Sequence, residues 1–188
     1  MKNPVYEDCD YGPLACLPGI WKGDSGEDVA PEPDGDEHNP FYETLVFEAA
    51  GDVTNAEEQT LAVVRYHQLV SRKTTGKVFH DQVGYWLWNS ASGEIVQTLT
   101  IPRAITLLAG GHAVIEGGRT IFSVRAAEGD ARWGIVQSPF MQEKARTLEF
   151  RHELTVEGDK LSYEETTVLD IYGKPTYPHS DRNTLQRQ

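Results

Sequence analysis

Leu148-Glu149-Phe150-Arg151-His152-Glu153-Leu154-Thr155-Val156 alternates without a break. Leu148, Phe150, His152, Leu154 and Val156 share one face, and Glu149, Arg151, Glu153 and Thr155 share the other. A period of two with one apolar face is a half-buried β-strand. Gly158-Asp159 follows, and Gly-X between two such runs marks a type II′ hairpin turn. A second run goes from Lys160 to about Tyr172, with Leu161, Tyr163, Glu165, Thr167, Leu169 and Ile171 directed inward. Centring the hairpin on the turn sets Val156 opposite Leu161, Leu154 opposite Tyr163 and His152 opposite Glu165. An inward carboxylate needs a partner, and the facing imidazole is predicted to be it.

The same rhythm extends through the chain. Strand-like runs cover 19–23, 41–49, 59–71, 78–89, 94–101, 104–109, 120–126 and 131–138. Breakers separate most of them: Thr74-Thr75-Gly76, Ala91-Ser92-Gly93, Gly110-Gly111, Gly117-Gly118 and Gly129-Asp130. Helix is scarce. Ser138-Pro139 reads as an N-cap with proline at the first helical position, before a short helix over 140–145, and 13–17 has room for one turn. Many short strands without intervening helices predict an all-β fold. The expectation is a single antiparallel up-and-down β-barrel of about ten strands, one domain over 1–188 with the barrel over about 13–187. Residues 24–40, rich in Asp, Glu, Pro and Gly, are expected to be an acidic mobile loop. Its carboxylates lack the EF-hand spacing for calcium. The tail over 181–188 is placed to close the sheet as a last strand.

The formal net charge is -12. Such acidity argues against nucleic acid and anionic lipid as partners. No apolar run approaches the length of a membrane span. Met1 to Tyr11 has neither the basic start nor the apolar centre of a secretory leader, so the expected location is cytoplasmic. Cys9 and Cys16 are the only cysteines and are expected to be free thiols in that reducing compartment. No HExxH, GxSxG, P-loop or GxGxxG is present, so no ready-made hydrolase or nucleotide site is visible. Trp86 and Trp88 share a face and are assigned to packing at the core or a barrel end. His152 stands out because its face is otherwise apolar. It is a structural partner of Glu165 or a polar anchor inside a cavity, and small barrels often enclose one.

The run Pro13-Leu14-Ala15-Cys16-Leu17-Pro18-Gly19-Ile20-Trp21-Lys22-Gly23 resembles the opening of the nitrobindins, haem-binding β-barrels related in fold to lipocalins and fatty-acid-binding proteins. Gly19, Trp21 and Gly23 match the GxWxGxG pattern of that family. Its last glycine comes one residue late, with Ser25 in its place and Gly26 after it. Further likeness lies in 41–51, in Gly84-Tyr85-Trp86 with the Gly93 turn, in Gly158 followed by Leu161-Ser162-Tyr163, and in Pro178-His179. The resemblance implies haem b, with His179 as the axial ligand of the iron. It also implies nitric-oxide binding and peroxynitrite isomerisation. The expected pocket residues are His179, from the resemblance, together with His152, Glu165, Thr167, Phe150 and Arg103. The alternative is a non-haem carrier of a fatty acid or similar apolar ligand, with His152, Glu165 and Arg103 holding the head group. A third reading is a barrel used only for protein contacts. Oligomeric state is left open, a homodimer included.

Overall fold

The computed structural model describes residues 9–188. The leader reading rested mostly on residues 1–8, which lie outside the described residues. The chain forms β1 (Gly19–Glu32), β2 (Gly35–Asn55), β3 (Gln59–Arg72), β4 (Val78–Asn89), β5 (Glu94–Ile101), β6 (Ile105–Glu116), β7 (Arg119–Ala127), β8 (Ile135–Gln137), α1 (Pro139–Lys144), β9 (Ala145–Glu157), β10 (Lys160–Ile171) and β11 (Lys174–Arg187). Every strand pairing is antiparallel. β5 pairs with β6 and β1 with β11, so a ring of ten strands closes. The short β8 stands outside that ring. It pairs with the start of β6, a stretch that β7 does not reach. Among the described residues no helix is long and apolar enough to cross a membrane.

The β9–β10 hairpin has the register read from its turn. Val156 faces Leu161, Leu154 faces Tyr163 and His152 faces Glu165. Gly158 has φ +58°, as the first central residue of a II′ turn requires. Ser138 caps α1, its hydroxyl accepting from the Met141 N–H at 3.3 Å, and proline follows it.

Two sequence readings need correction. Residues 24–40 are not a loop. They form the outer part of the β1–β2 hairpin, paired from Gly26↔Phe41 to Glu32↔Gly35. Acidic side chains suit the solvent face of this hairpin, and backbone pairing holds it without apolar content. Gly110-Gly111 does not end a strand either, because β6 runs straight through it. These glycines admit close neighbours. A Cβ on Gly111 would come within 1.8 Å of the Ser123 carbonyl oxygen, and one on Gly110 would strike the Trp133 ring at 2.0 Å.

The core fills the floor of the barrel and continues up its β5–β6 side to Leu99, Ile105 and Leu107. A 3-10 turn, Gly12–Cys16, closes its floor, and Leu14 and Leu17 are wholly buried there. Burying one such side chain is worth about 1.5–3 kcal/mol. Trp88 lies against the turn at Gly12, and Trp86 is inside. The GxW motif is a floor device. The Trp21 indole N–H donates to the Leu17 carbonyl at 2.9 Å, and the Arg187 guanidinium lies 4.0 Å over the ring. Gly19, at φ +142°, leaves room for that guanidinium, since a Cβ would meet Arg187 Nη1 at 2.7 Å. Gly23 lies equally close to Asn183 on β11.

Gly111→Ala is expected to force the β6–β7 backbones apart and to cost about 1–3 kcal/mol, a Tm drop of roughly 2–12 °C. Gly35→Ala is expected to leave Tm almost unchanged, since nothing lies within 4 Å of a Cβ there. Thermal melts of the two variants check this; equal melting would contradict it.

Candidate functional site: the polar upper half of the barrel

On β10 and β11 the inward faces change character from floor to mouth. On β11 the sequence is Leu185, Asn183, Asp181 and His179, and on β10 it is Leu161, Tyr163, Glu165 and Thr167. Across adjacent strands these residues form rows. One row is Asp28 (β1), Asp181 (β11), Glu165 (β10) and His152 (β9). The row above it is His179, Thr167 and Phe150. Five of the six expected pocket residues therefore share one wall. Arg103 does not join them. It sits on the exposed turn between β5 and β6, where its charge is felt at His179 and His80 but makes no ion pair among the described residues.

Deep in this half, Glu43 is 3% exposed. It accepts from Asn183 Nδ2 at 2.7 Å, Gln68 Nε2 at 2.8 Å and the Tyr163 hydroxyl at 3.0 Å. Burial still pushes its carboxyl above the ordinary range, against the pull of those bonds.

A second network fixes His152. The Tyr66 hydroxyl donates to the Thr98 carbonyl at 3.1 Å, so it accepts from Gln82 Nε2 and Gln97 Nε2. With its amide nitrogen so committed, Gln97 turns Oε1 to His152 Nδ1 at 3.0 Å, and Nδ1–H must be the donor. The lone pair then lies on Nε2, which is buried and has no partner among the described residues. Burial lowers the His152 pKa to about 4, so the ring is neutral. Trp86, Phe150 and Tyr163 surround it with ring centroids at 5.7, 6.1 and 5.6 Å.

Glu165 is the cross-strand neighbour of His152, yet it is not its hydrogen-bond partner. Its Oε2 lies 3.9 Å from Nδ1, beyond bonding range. Gln97 takes that place, a residue the hairpin alone could not reveal because it comes from β5. Burial, and then the charge of Glu43, push the Glu165 carboxyl up to about 8.

At the mouth, His179 is inward, with its side chain 29% exposed. Its Nε2 lies 2.6 Å from Asp28 Oδ1, and Asn39 Nδ2 donates to Asp28 Oδ2 at 2.9 Å. Asn39 Oδ1 accepts in turn from Arg72. Burial works to lower the His179 pKa, but the hydrogen bond to Asp28 and the charge of Asp181 outweigh it and hold it above the ordinary value. Asp28 and Asn39 were hidden in the segment read as a loop. Pro33-Asp34-Gly35, a turn signature, was the signal that two strands met there.

Residues 10–187 match the family described as THAP4-like, heme-binding beta-barrel domain. No curated protein matches the chain. Among solved structures, Rv2717c from M. tuberculosis is similar with a TM-score of 0.71 at 21% identity, over 96% of this chain and 99% of that chain. At that identity the likeness establishes the fold.

The raised Glu165 pKa has a stability consequence of definite sign. The folded state keeps a proton that the unfolded chain releases, so stability is full below about 4.5 and declines as pH rises towards about 8. Glu165→Gln keeps the shape and cannot ionise. Its stability relative to wild type is expected to grow across that window, by up to a few kcal/mol. Denaturant unfolding as a function of pH checks this; a deficit constant with pH would contradict it.

Proposed function

The chain belongs to the family of THAP4-like, haem-binding β-barrel domains, the nitrobindin-like group to which its opening motif and Pro178-His179 point, and we propose that it holds one haem b at the barrel mouth with His179 as the only protein ligand. One observation carries the reading. His179 presents a partly accessible imidazole on the inward face of β11, with one ring nitrogen on a buried carboxylate. Metal-ligating histidines are commonly held this way, since the bond to the carboxylate fixes the ring and leaves the other nitrogen its lone pair. With Nε2–H on Asp28, that nitrogen is Nδ1; a half-turn of the ring exchanges the two. The donor set therefore fits haem iron.

The other residues act around that anchor. Thr167 and Phe150 form the wall next to His179 in the same row. Asn39 holds Asp28, and Asp28 holds the imidazole. Deeper, neutral His152 offers a bare acceptor, fixed by Gln97, to a small molecule in the interior. Bound haem would supply a coordination position for nitric oxide and a centre for peroxynitrite isomerisation. For the carrier alternative, His152 and Glu165 remain as anchors, while Arg103 stays on its exposed turn and adds no charge beside them. Cys9 and Cys16 are both free, which suits a reducing compartment.

Haemin titration followed at the Soret band tests the proposal. Wild type is expected to bind one equivalent and His179→Ala to lose the sharp band. His152→Ala is expected to keep it while losing about 2–4 kcal/mol of stability, because a core ring is gone and Gln97 loses its partner. If wild type and His179→Ala bind equally, or if neither binds, the assignment fails.

A further inference from the structure

We propose that Asp28, His179 and Asp181 form a divalent-cation site at the barrel mouth, one that takes Zn2+ or a cation of the same borderline class when haem is absent. This site shares His179 with the haem reading but does not depend on it.

The three residues come from facing positions on β1 and β11. Each offers one ligand atom, and those atoms lie within 4.8 Å of one another. Asp28 is already set as a ligand. Its side chain is 8% exposed, Asn39 ties down Oδ2, and Oδ1 points at the imidazole. Asp181 faces Asp28 directly across the β1–β11 pair and Glu165 directly across the β10–β11 pair. Asp28 and Asp181 are thus directly opposed on one wall, where like charges are unfavourable, with the Glu165 carboxyl next in the row. The Asp181 carboxylate takes no hydrogen bond among the described residues. Among the described residues His179 is the basic side chain bonded into the row, through Asp28, while Arg103 stays on its exposed turn. A divalent ion held by Asp28, His179 and Asp181 would offset the crowding of acidic groups on this wall.

The donor chemistry selects the ion. One imidazole with two carboxylates suits the borderline first-row ions, and Zn2+ binds such a set more tightly than Mn2+ or Fe2+. The mouth is open to solvent, so water can fill the remaining coordination position. Since His179 can serve only one metal at a time, Zn2+ and haem iron would exclude each other.

The test uses the full chain freed of metal and haem, titrated with zinc chloride by calorimetry. Wild type is expected to bind one Zn2+ and to gain Tm. Asp181→Asn, close in size to the native side chain, is expected to weaken binding more than about tenfold, and His179→Ala to remove it. His67→Ala serves as the control, because His67 and Asp81 form an exposed pair 2.9 Å apart that could capture zinc on its own. Should Asp181→Asn fail to fold, Asp28→Asn takes its place, and the Tm gain of wild type remains a separate readout. Absence of zinc binding by wild type would overturn the proposal. So would equal binding by Asp181→Asn, or loss on His67→Ala instead. Haemin added to the zinc-loaded chain is expected to release the ion; binding of both together would overturn the shared use of His179. Zinc binding without haemin binding would strike the haem reading alone.

Discussion

The barrel exists because its first strand pairs with its last, and the β1–β11 seam carries both the floor and the mouth. At the floor, Arg187 of β11 covers Trp21 of β1, and it donates to the Pro18 and Cys16 carbonyls and to Asp159. At the mouth, His179 of β11 meets Asp28 of β1. Trp21 and Asp28 both point inward, although seven positions separate them and strict alternation would send one of them outside. A β-bulge resolves the conflict. Lys22 pairs with Gln186 and Glu27 with Arg182, a register shift of one residue, and the pairing with β2 shifts likewise between Gly23 and Gly26. The glycine that comes one residue late in the opening motif sits at this bulge, beneath the Phe41 ring, where a Cβ would be 2.1 Å from a ring carbon. One extra residue in β1 is what turns Asp28 towards His179.

The division of the interior follows from solvent access. The floor is sealed by the 3-10 turn and is filled with Leu, Phe and Trp. On the β1, β10 and β11 side polar groups appear towards the mouth, and several deep ones are engaged: Glu43 by three donors, Gln97 between Tyr66 and His152. His152 Nε2 is an exception to this economy. Leaving a buried acceptor bare costs on the order of 1–3 kcal/mol, and the Trp86, Phe150 and Tyr163 rings packed around His152 supply no donor to it.

Much of this was legible in the residues. The 148–172 run gave its strands, turn and register because local alternation and a Gly-Asp turn suffice for a hairpin. Pro178-His179 placed a histidine at the mouth only through likeness to a family, since nothing local distinguishes it from a surface residue. Residues 24–40 misled because the inward positions of a strand at a wet mouth are themselves polar. Asp28 and Asn39 face inward there, so the apolar beat that marks a strand is missing. The Gly110-Gly111 pair misled for the opposite reason. Its glycines answer neighbours, Trp133 and Ser123, that only the folded sheet brings near. Gln97 was beyond reach because it meets His152 from 55 positions away.

The β1–β2 hairpin also makes the mouth electrically lopsided. Glu32, Asp34, Asp36 and Glu37 crowd its tip, which Lys174 and Tyr177 brace against β11. Arg103 sits on another rim turn, four strands further round the ring. A ligand bearing negative groups is therefore turned in flight, its charged edge swung away from the hairpin and towards the guanidinium before any contact is made. On a chain of net charge -12 the repulsion dominates at long range. Capture of such a ligand accordingly speeds up with added salt, once the screening length falls to about 8 Å at physiological ionic strength.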